Sequence, residues 1–230
     1  MKKIIVLLLI GNFGVLNAQN SIEIPPGTIQ LNDSLFIDVS PVTNSTFTEY
    51  LTVKKVLKNK GYDSFSEFTK ATNEKGFPID MKVIFPPLLI DFYSNNNYLT
   101  ELGYWSGYQF QYHPVLNVSK EQAINFCKWR TEMVSHLWKY DEKHALNKNQ
   151  SDKINYRLAT ENELILAKTF FSNSNTIIEF KEKLLDIKLE KNATQFTIFP
   201  VKELTTSEKL FNFNSNYGFT GFRCICEIEK

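Results

Sequence analysis

The 230-residue chain sets 26 Lys and Arg against 25 Asp and Glu, a formal net charge of +1, with neither a basic stripe nor an acidic tail. That balance excludes nucleic acid and anionic membrane as electrostatic partners. At 43% hydrophobic residues, with 19 Phe and 10 Tyr, the chain supports a sizeable aromatic core, because each buried ring removes a large apolar area from water.

The N-terminus reads as a secretory signal. Met1-Lys2-Lys3 precedes an uncharged apolar run at 4–10, and Leu16-Asn17-Ala18-Gln19 places a small residue before a polar continuation. Removal of residues 1–18 is expected, leaving 19–230 as one domain exported to the periplasm or beyond the cell. The apolar run is broken by Gly11, Asn12 and Gly14 and is too short to cross ~30 Å of hydrocarbon. No membrane insertion is therefore expected after cleavage, and no cysteine follows the run to receive a lipid.

Two short apolar runs, at 22–31 and 34–39, flank Asn32-Asp33 and predict a β-hairpin. Thr43 is placed to cap a helix whose inner face carries Phe47, Tyr50, Leu51 and the stem of Lys54. Residues 58–112 are rich in Asn, Gly, Pro and aromatics and read as a long irregular region with short helices. A connection of that length has to pack on the core or form a binding surface. Its cluster of Tyr104, Trp105, Tyr108, Phe110 and Tyr112 is either ordinary loop packing or a groove for sugar or peptide, with packing favoured because rings anchor loops by burial alone.

Ser119 with Gln122, and Thr160 with Glu163, are two capping-box signatures and predict two helix starts. Ala123, Cys127, Val134 and Leu137, widened by Phe126 and Met133, mark the inner face of the first helix; Leu164, Ala167 and Phe171 mark that of the second. Ile177, Phe180, Leu184 and Ile187 recur at helical spacing, which predicts a third helix over 177–189. The chain ends as a strand, with Phe222, Cys224, Cys226 and Ile228 toward the core and Arg223, Ile225, Glu227 and Glu229 on the other face.

Several of these segments, in order, resemble the landmarks of the formylglycine-generating enzyme (sulfatase-modifying factor) family. They are Ile24-Pro25-Pro26-Gly27-Thr28, then Pro41-Val42-Thr43-Asn44 followed by Phe47 and Leu51, and then the run from His113-Pro114-Val115 to Phe126-Cys127-Lys128-Trp129-Arg130. Tyr156-Arg157-Leu158-Ala159-Thr160-Glu161-Asn162-Glu163 and Gly221-Phe222-Arg223-Cys224 complete the set. Trp129-Arg130-Thr131 is similar to the branch found in gliding-motility lipoproteins. The resemblance implies an α+β domain, a variant of the C-type lectin fold, with short strands, two or three helices and much irregular structure.

The departures from the family bear on function. Ala159 stands where the family has proline, and Leu164 and Ile165 stand where it has tryptophan and glutamate. From 172 to 218 neither of the family's two tryptophan- and glycine-rich segments is found. No cysteine lies between Cys127 and Cys224, the interval in which family enzymes carry the cysteine pair that binds copper and activates oxygen. No catalytic residue, cofactor or metal ligand is therefore assigned, and no phosphate loop, nucleophile elbow or carboxylate pair is present.

By the same resemblance, Cys127 and Cys224 match positions that form a structural disulfide, which suits an exported chain. That leaves Cys226 as a buried, inert thiol. Arg157, Glu161 and Arg223 read as scaffold residues of the motifs, with Glu161 or Glu163 as the partner of Arg157. His113, His136 and His144 have no ligand spacing and are assigned structural or solvent roles. The expected function is a non-catalytic binding or structural module of the cell envelope, its partner a protein or glycan. The alternatives are an active formylglycine-generating oxidase and a carbohydrate-binding module.

Overall fold

The computed structural model describes residues 23–73, 75, 99, 102–105, 107–191, 193–213 and 218–229. The signal segment at 1–18 lies outside them, as does much of the region at 58–112.

The hairpin forms where the turn chemistry places it. β1 (Thr28–Gln30) and β2 (Leu35–Asp38) pair antiparallel with Ile29 opposite Ile37. Asn32 closes the turn by accepting the backbone N–H groups of Ser34 and Leu35 through its side chain, both at 3.0 Å. β3 (Ile154–Leu158) and the C-terminal β9 (Cys224–Ile228) complete an antiparallel sheet of order β1-β2-β9-β3, in which Cys226 faces Phe36 on one side and Tyr156 on the other.

The period of two along these strands sorts residues onto two cores. Phe36, Cys224, Cys226 and Ile228 face a large cluster carried by α1 (Asn44–Asn59) and by α3 (Lys120–Tyr140), including Phe47, Tyr50 and Phe126. α2 (Phe65–Thr72) adds Phe65 and Phe68 to the same cluster. Ile37 and Ile225 face a second cluster with Leu164, Ala167 and Phe171 of α4 (Glu161–Asn173). The sheet is thus covered on both faces.

Three of the helices, α1, α3 and α4, begin at the residue their sequence nominates. The Thr43 side chain accepts from the Thr46 N–H. Ser119 with Gln122, and Thr160 with Glu163, form complete capping boxes. Replacing either cap by Ala should destabilise the domain by ~1 kcal/mol. Thr160→Ala should show the larger loss in urea unfolding, because Glu163 is also held by Arg157; equal or reversed losses would contradict this.

Three expectations are corrected. Residues 177–189 are not a helix: Ile177–Glu179 is β4, paired in parallel with β5 (Phe196–Ile198), and only Leu184–Asp186 forms a 3-10 turn. The β-branched Ile177-Ile178 pair follows Asn175, whose φ of 52° breaks the helical path. The C-terminal strand is interrupted at Arg223: β8 (Thr220–Phe222) joins β6 (Lys202–Leu204) and β7 (Leu210–Asn212) in a second sheet, and the chain then crosses into the first. Arg223 and Ile225 are both fully buried, against an expected outer face. On α3, Leu137 is only half-buried, whereas Trp129 and Trp138 are core residues. The start of the 58–112 region carries a short helix, α2, after α1 ends at Asn59. Among the described residues no helix is long and apolar enough to cross a membrane.

Candidate functional site

β9 collects most of the residues singled out in the sequence. Cys224 on β9 and Cys127 on α3 place their sulfurs 3.3 Å apart as buried thiols. Burial, reinforced by the neighbouring Cys127 and Asp38, pushes the Cys224 thiol well above its usual range. Cys226, two residues on and on the same face, is pushed up to about 12 chiefly by burial. Thiols so placed stay protonated and unreactive near neutral pH.

Beside them is an ion pair that no sequence pattern announced. Arg130 Nη1 donates to Asp38 Oδ1 at 2.7 Å, its Nη2 donates to the Pro26 carbonyl at 2.6 Å, and the guanidinium stacks 4.4 Å from the Tyr156 ring centroid. The other Asp38 oxygen accepts the Cys224 N–H at 2.8 Å. Gly27 is required here: its φ is 76°, and a Cβ would stand 3.0 Å from Arg130 Nη2. One readable signal was Asp38 itself, a carboxylate in register with inward-facing Phe36.

Arg157 selects Glu163, not Glu161. It grips both Glu163 oxygens, at 2.9 and 2.6 Å, and also binds Glu227 on β9. Burial alone would raise the Glu163 pKa, but hydrogen bonds from Arg157 and Thr160 reverse this and leave it below the usual value. Glu161 instead accepts from the Ser207 hydroxyl at 2.9 Å. Arg223 forms a fork with Glu203 on β6, both contacts at 2.7 Å, and donates to the carbonyls of Asp38 and Thr197. These three arginines join separate elements of the scaffold to one another.

The aromatic segment divides. Tyr104 and Trp105 are core residues, and the Tyr104 hydroxyl donates to the Pro114 carbonyl at 2.7 Å. Tyr108 points outward at 83% exposure, Tyr112 is half-buried, and Phe110 packs on Tyr104. Burial therefore explains Tyr104, Trp105 and Phe110, and the five rings do not line one groove.

His136 Nε2 lies 2.8 Å from the Lys75 carbonyl, and His144 Nδ1 lies 2.7 Å from Glu23 Oε1. His113 is fully buried among Phe110, Tyr104 and Phe199. Burial lowers its pKa to about 4, the Ile187 backbone offsetting this only in part. The unfolded chain thus takes up a proton near pH 6.5 that the folded one refuses until about 4. His113 leaves stability undiminished above that window and removes about 3 kcal/mol as pH falls through it. Urea midpoints at pH 7.5 and 4.5 should converge in His113→Gln relative to the parent; an unchanged gap would contradict this.

Among the described residues no three His, Cys, Asp or Glu side chains gather as a metal-binding group. A family model described as sulfatase-modifying factor enzyme 1-like domain matches residues 2–169, from the N-terminus into α4. No curated protein and no solved structure matches the chain.

Proposed function

This chain belongs to the sulfatase-modifying factor enzyme 1-like family, and from that premise we propose that it is an exported, non-catalytic member acting as a binding or structural module of the bacterial cell envelope. The observation that carries this reading is the placement of its cysteines. All three are buried beside the central sheet, and no cysteine lies between Cys127 and Cys224. Copper in the family's oxidases is held by thiolates. Cys127 and Cys224 do not fit that role, because they are sealed within the apolar cluster and burial keeps Cys224 protonated.

Paired as a disulfide, Cys127 and Cys224 would tie α3 to β9 and take the role of a scaffold staple. The N-terminal signal pattern supports export, and Trp129-Arg130-Thr131 supports kinship with the gliding-motility branch; the proposed partner is a protein or glycan of the envelope. The C-type lectin variant of the family remains the proposed fold type, consistent with short strands, few helices and a chain that switches sheets at Arg223.

Oxygen uptake in the presence of copper and a cysteine-bearing peptide tests the reading. Uptake no faster than the protein-free copper control is expected, with the peptide cysteine intact. Sustained conversion of that cysteine to formylglycine would establish the oxidase alternative.

A further inference from the structure

α4 is apolar on two opposite faces. Leu164, Ala167 and Phe171 are buried in the second cluster, against the sheet. On the far side of the helix, Asn162, Ile165, Leu166, Thr169, Phe170 and Asn173 recur at helical spacing and are all exposed. Ile165, Leu166 and Phe170 stand 52%, 50% and 46% exposed. The Thr169 hydroxyl donates to the Ile165 carbonyl at 2.9 Å, so this residue offers its methyl group to the same stripe. Single apolar side chains on a surface need no account, but a continuous stripe along the outer face of a helix does.

No charged residue lies on the stripe, and the charges beside it are engaged within the chain. Glu163 is held by Arg157, Glu161 accepts from Ser207, and Lys168 reaches the Phe213 carbonyl and Glu179. A partner recognised by its charge has nothing here to read. The chain's own remaining segments are poorly placed to cover the stripe. Residues 76–98 join the described chain at Lys75, whose carbonyl meets His136 of α3, and at Leu99 in the first cluster. Both points lie on the α3 side of the sheet, and α4 lies on the other. Residues 214–217 are four positions against a helix of 13.

The stripe fits its own copy. Its chemistry reads the same from either end, with Asn at both termini and apolar groups between them. When two copies lie antiparallel, Asn162 meets Asn173 of the second copy, Ile165 meets Phe170, and Leu166 meets Thr169. A side-chain amide both donates and accepts, so it pairs with another amide. Neither Asn162 nor Asn173 makes a side-chain hydrogen bond among the described residues. Antiparallel helices also set their dipoles in opposition, which is the favourable sense.

We propose that the outer face of α4 is a homodimer contact, in which two copies of this chain pack α4 against α4 about a two-fold axis through the middle of the stripe. The stripe is ~17 Å long and one helix wide, on the order of 200 Å² per copy. A standard stable complex uses ~800 Å² per partner. The dimer is therefore weak and exchanging, with a Kd of about 10 µM to 1 mM. The contact is independent of the non-catalytic reading, and neither outcome of the oxygen-uptake test bears on it.

Sedimentation equilibrium of the mature chain in reductant, from ~10 µM to ~1 mM, tests the proposal. The average mass should rise from monomer toward dimer with concentration. Leu166→Glu places two like charges across the axis and should weaken association at least tenfold, and Thr169→Lys should do the same. Both positions are exposed, so both variants should fold as the parent does, which their urea midpoints check. Mixing the two variants should restore association, because the register sets Leu166 against Thr169. A parent that stays monomeric at the highest concentration would overturn the proposal, and binding of that monomer, but not of Leu166→Glu, to phosphatidylcholine vesicles would assign the stripe to a lipid surface instead. Self-association retained by both variants, or a mixture no tighter than either variant alone, would also overturn it.

Discussion

Arg223→Met should lower the stability of the domain by about 3–5 kcal/mol, a fall in Tm of roughly 6–20 °C at this size. Arg223 is fully buried, and its partner Glu203 is buried with it. Its guanidinium meets both Glu203 oxygens and the carbonyls of Asp38 and Thr197, and its face lies 4.5 Å from the Phe196 ring. One side chain thereby joins β2, β5 and β6 at the point where the chain passes from the second sheet to the first. Removing it strands a carboxylate and two carbonyls in the interior, where each lacks water to compensate. Glu203→Gln should be costly for the converse reason, an uncompensated buried guanidinium. The double replacement Arg223→Met, Glu203→Leu should recover most of the loss, since a buried ion pair contributes little over a well-packed apolar pair. Urea unfolding of the three variants checks this, and a double variant no better than either single one would contradict it.

The second large effect is redox-dependent. Cys127 and Cys224 are 97 residues apart in sequence with sulfurs in contact. Closing them into a disulfide should stabilise the domain by about 4–5 kcal/mol in the chain-entropy account. Guanidinium unfolding with and without reductant should therefore show two well-separated midpoints for the parent chain. Cys127→Ala should give a single midpoint in both conditions. Cys226→Ala should keep the separation, because that thiol is on the same sheet face but outside the pair. A parent chain indifferent to reductant would contradict the pairing.

Features decided within a few residues were legible in the sequence. Thr43, Ser119 and Thr160 start helices through contacts to the residues just after them, and Asn32 turns a hairpin through its own side chain. The alternation along β9 correctly placed Cys224, Cys226 and Ile228 together. It misassigned Arg223 and Ile225 because their face is covered by α4 and β5, which the strand's own sequence does not announce. The segment at 177–189 was misread for a related reason. Ile177, Phe180, Leu184 and Ile187 have helical spacing, but β4 takes its hydrogen bonds from β5, roughly twenty residues further on.

The ion pairs show the same division. Arg157 and Glu163 are six residues apart and were within reach of a local reading. Arg130 with Asp38, 92 residues apart, and Arg223 with Glu203 across two strands needed the fold.

The measurement that bears most directly on a domain whose thiols serve the scaffold is a cysteine map of the native protein, alkylated at neutral pH before unfolding and digested without reductant. The predicted result is a linked Cys127–Cys224 peptide and a Cys226 that labels only after unfolding, as buried thiols held protonated should behave. Rapid labelling of any of the three in the folded protein would mean an accessible thiolate, and would contradict the account.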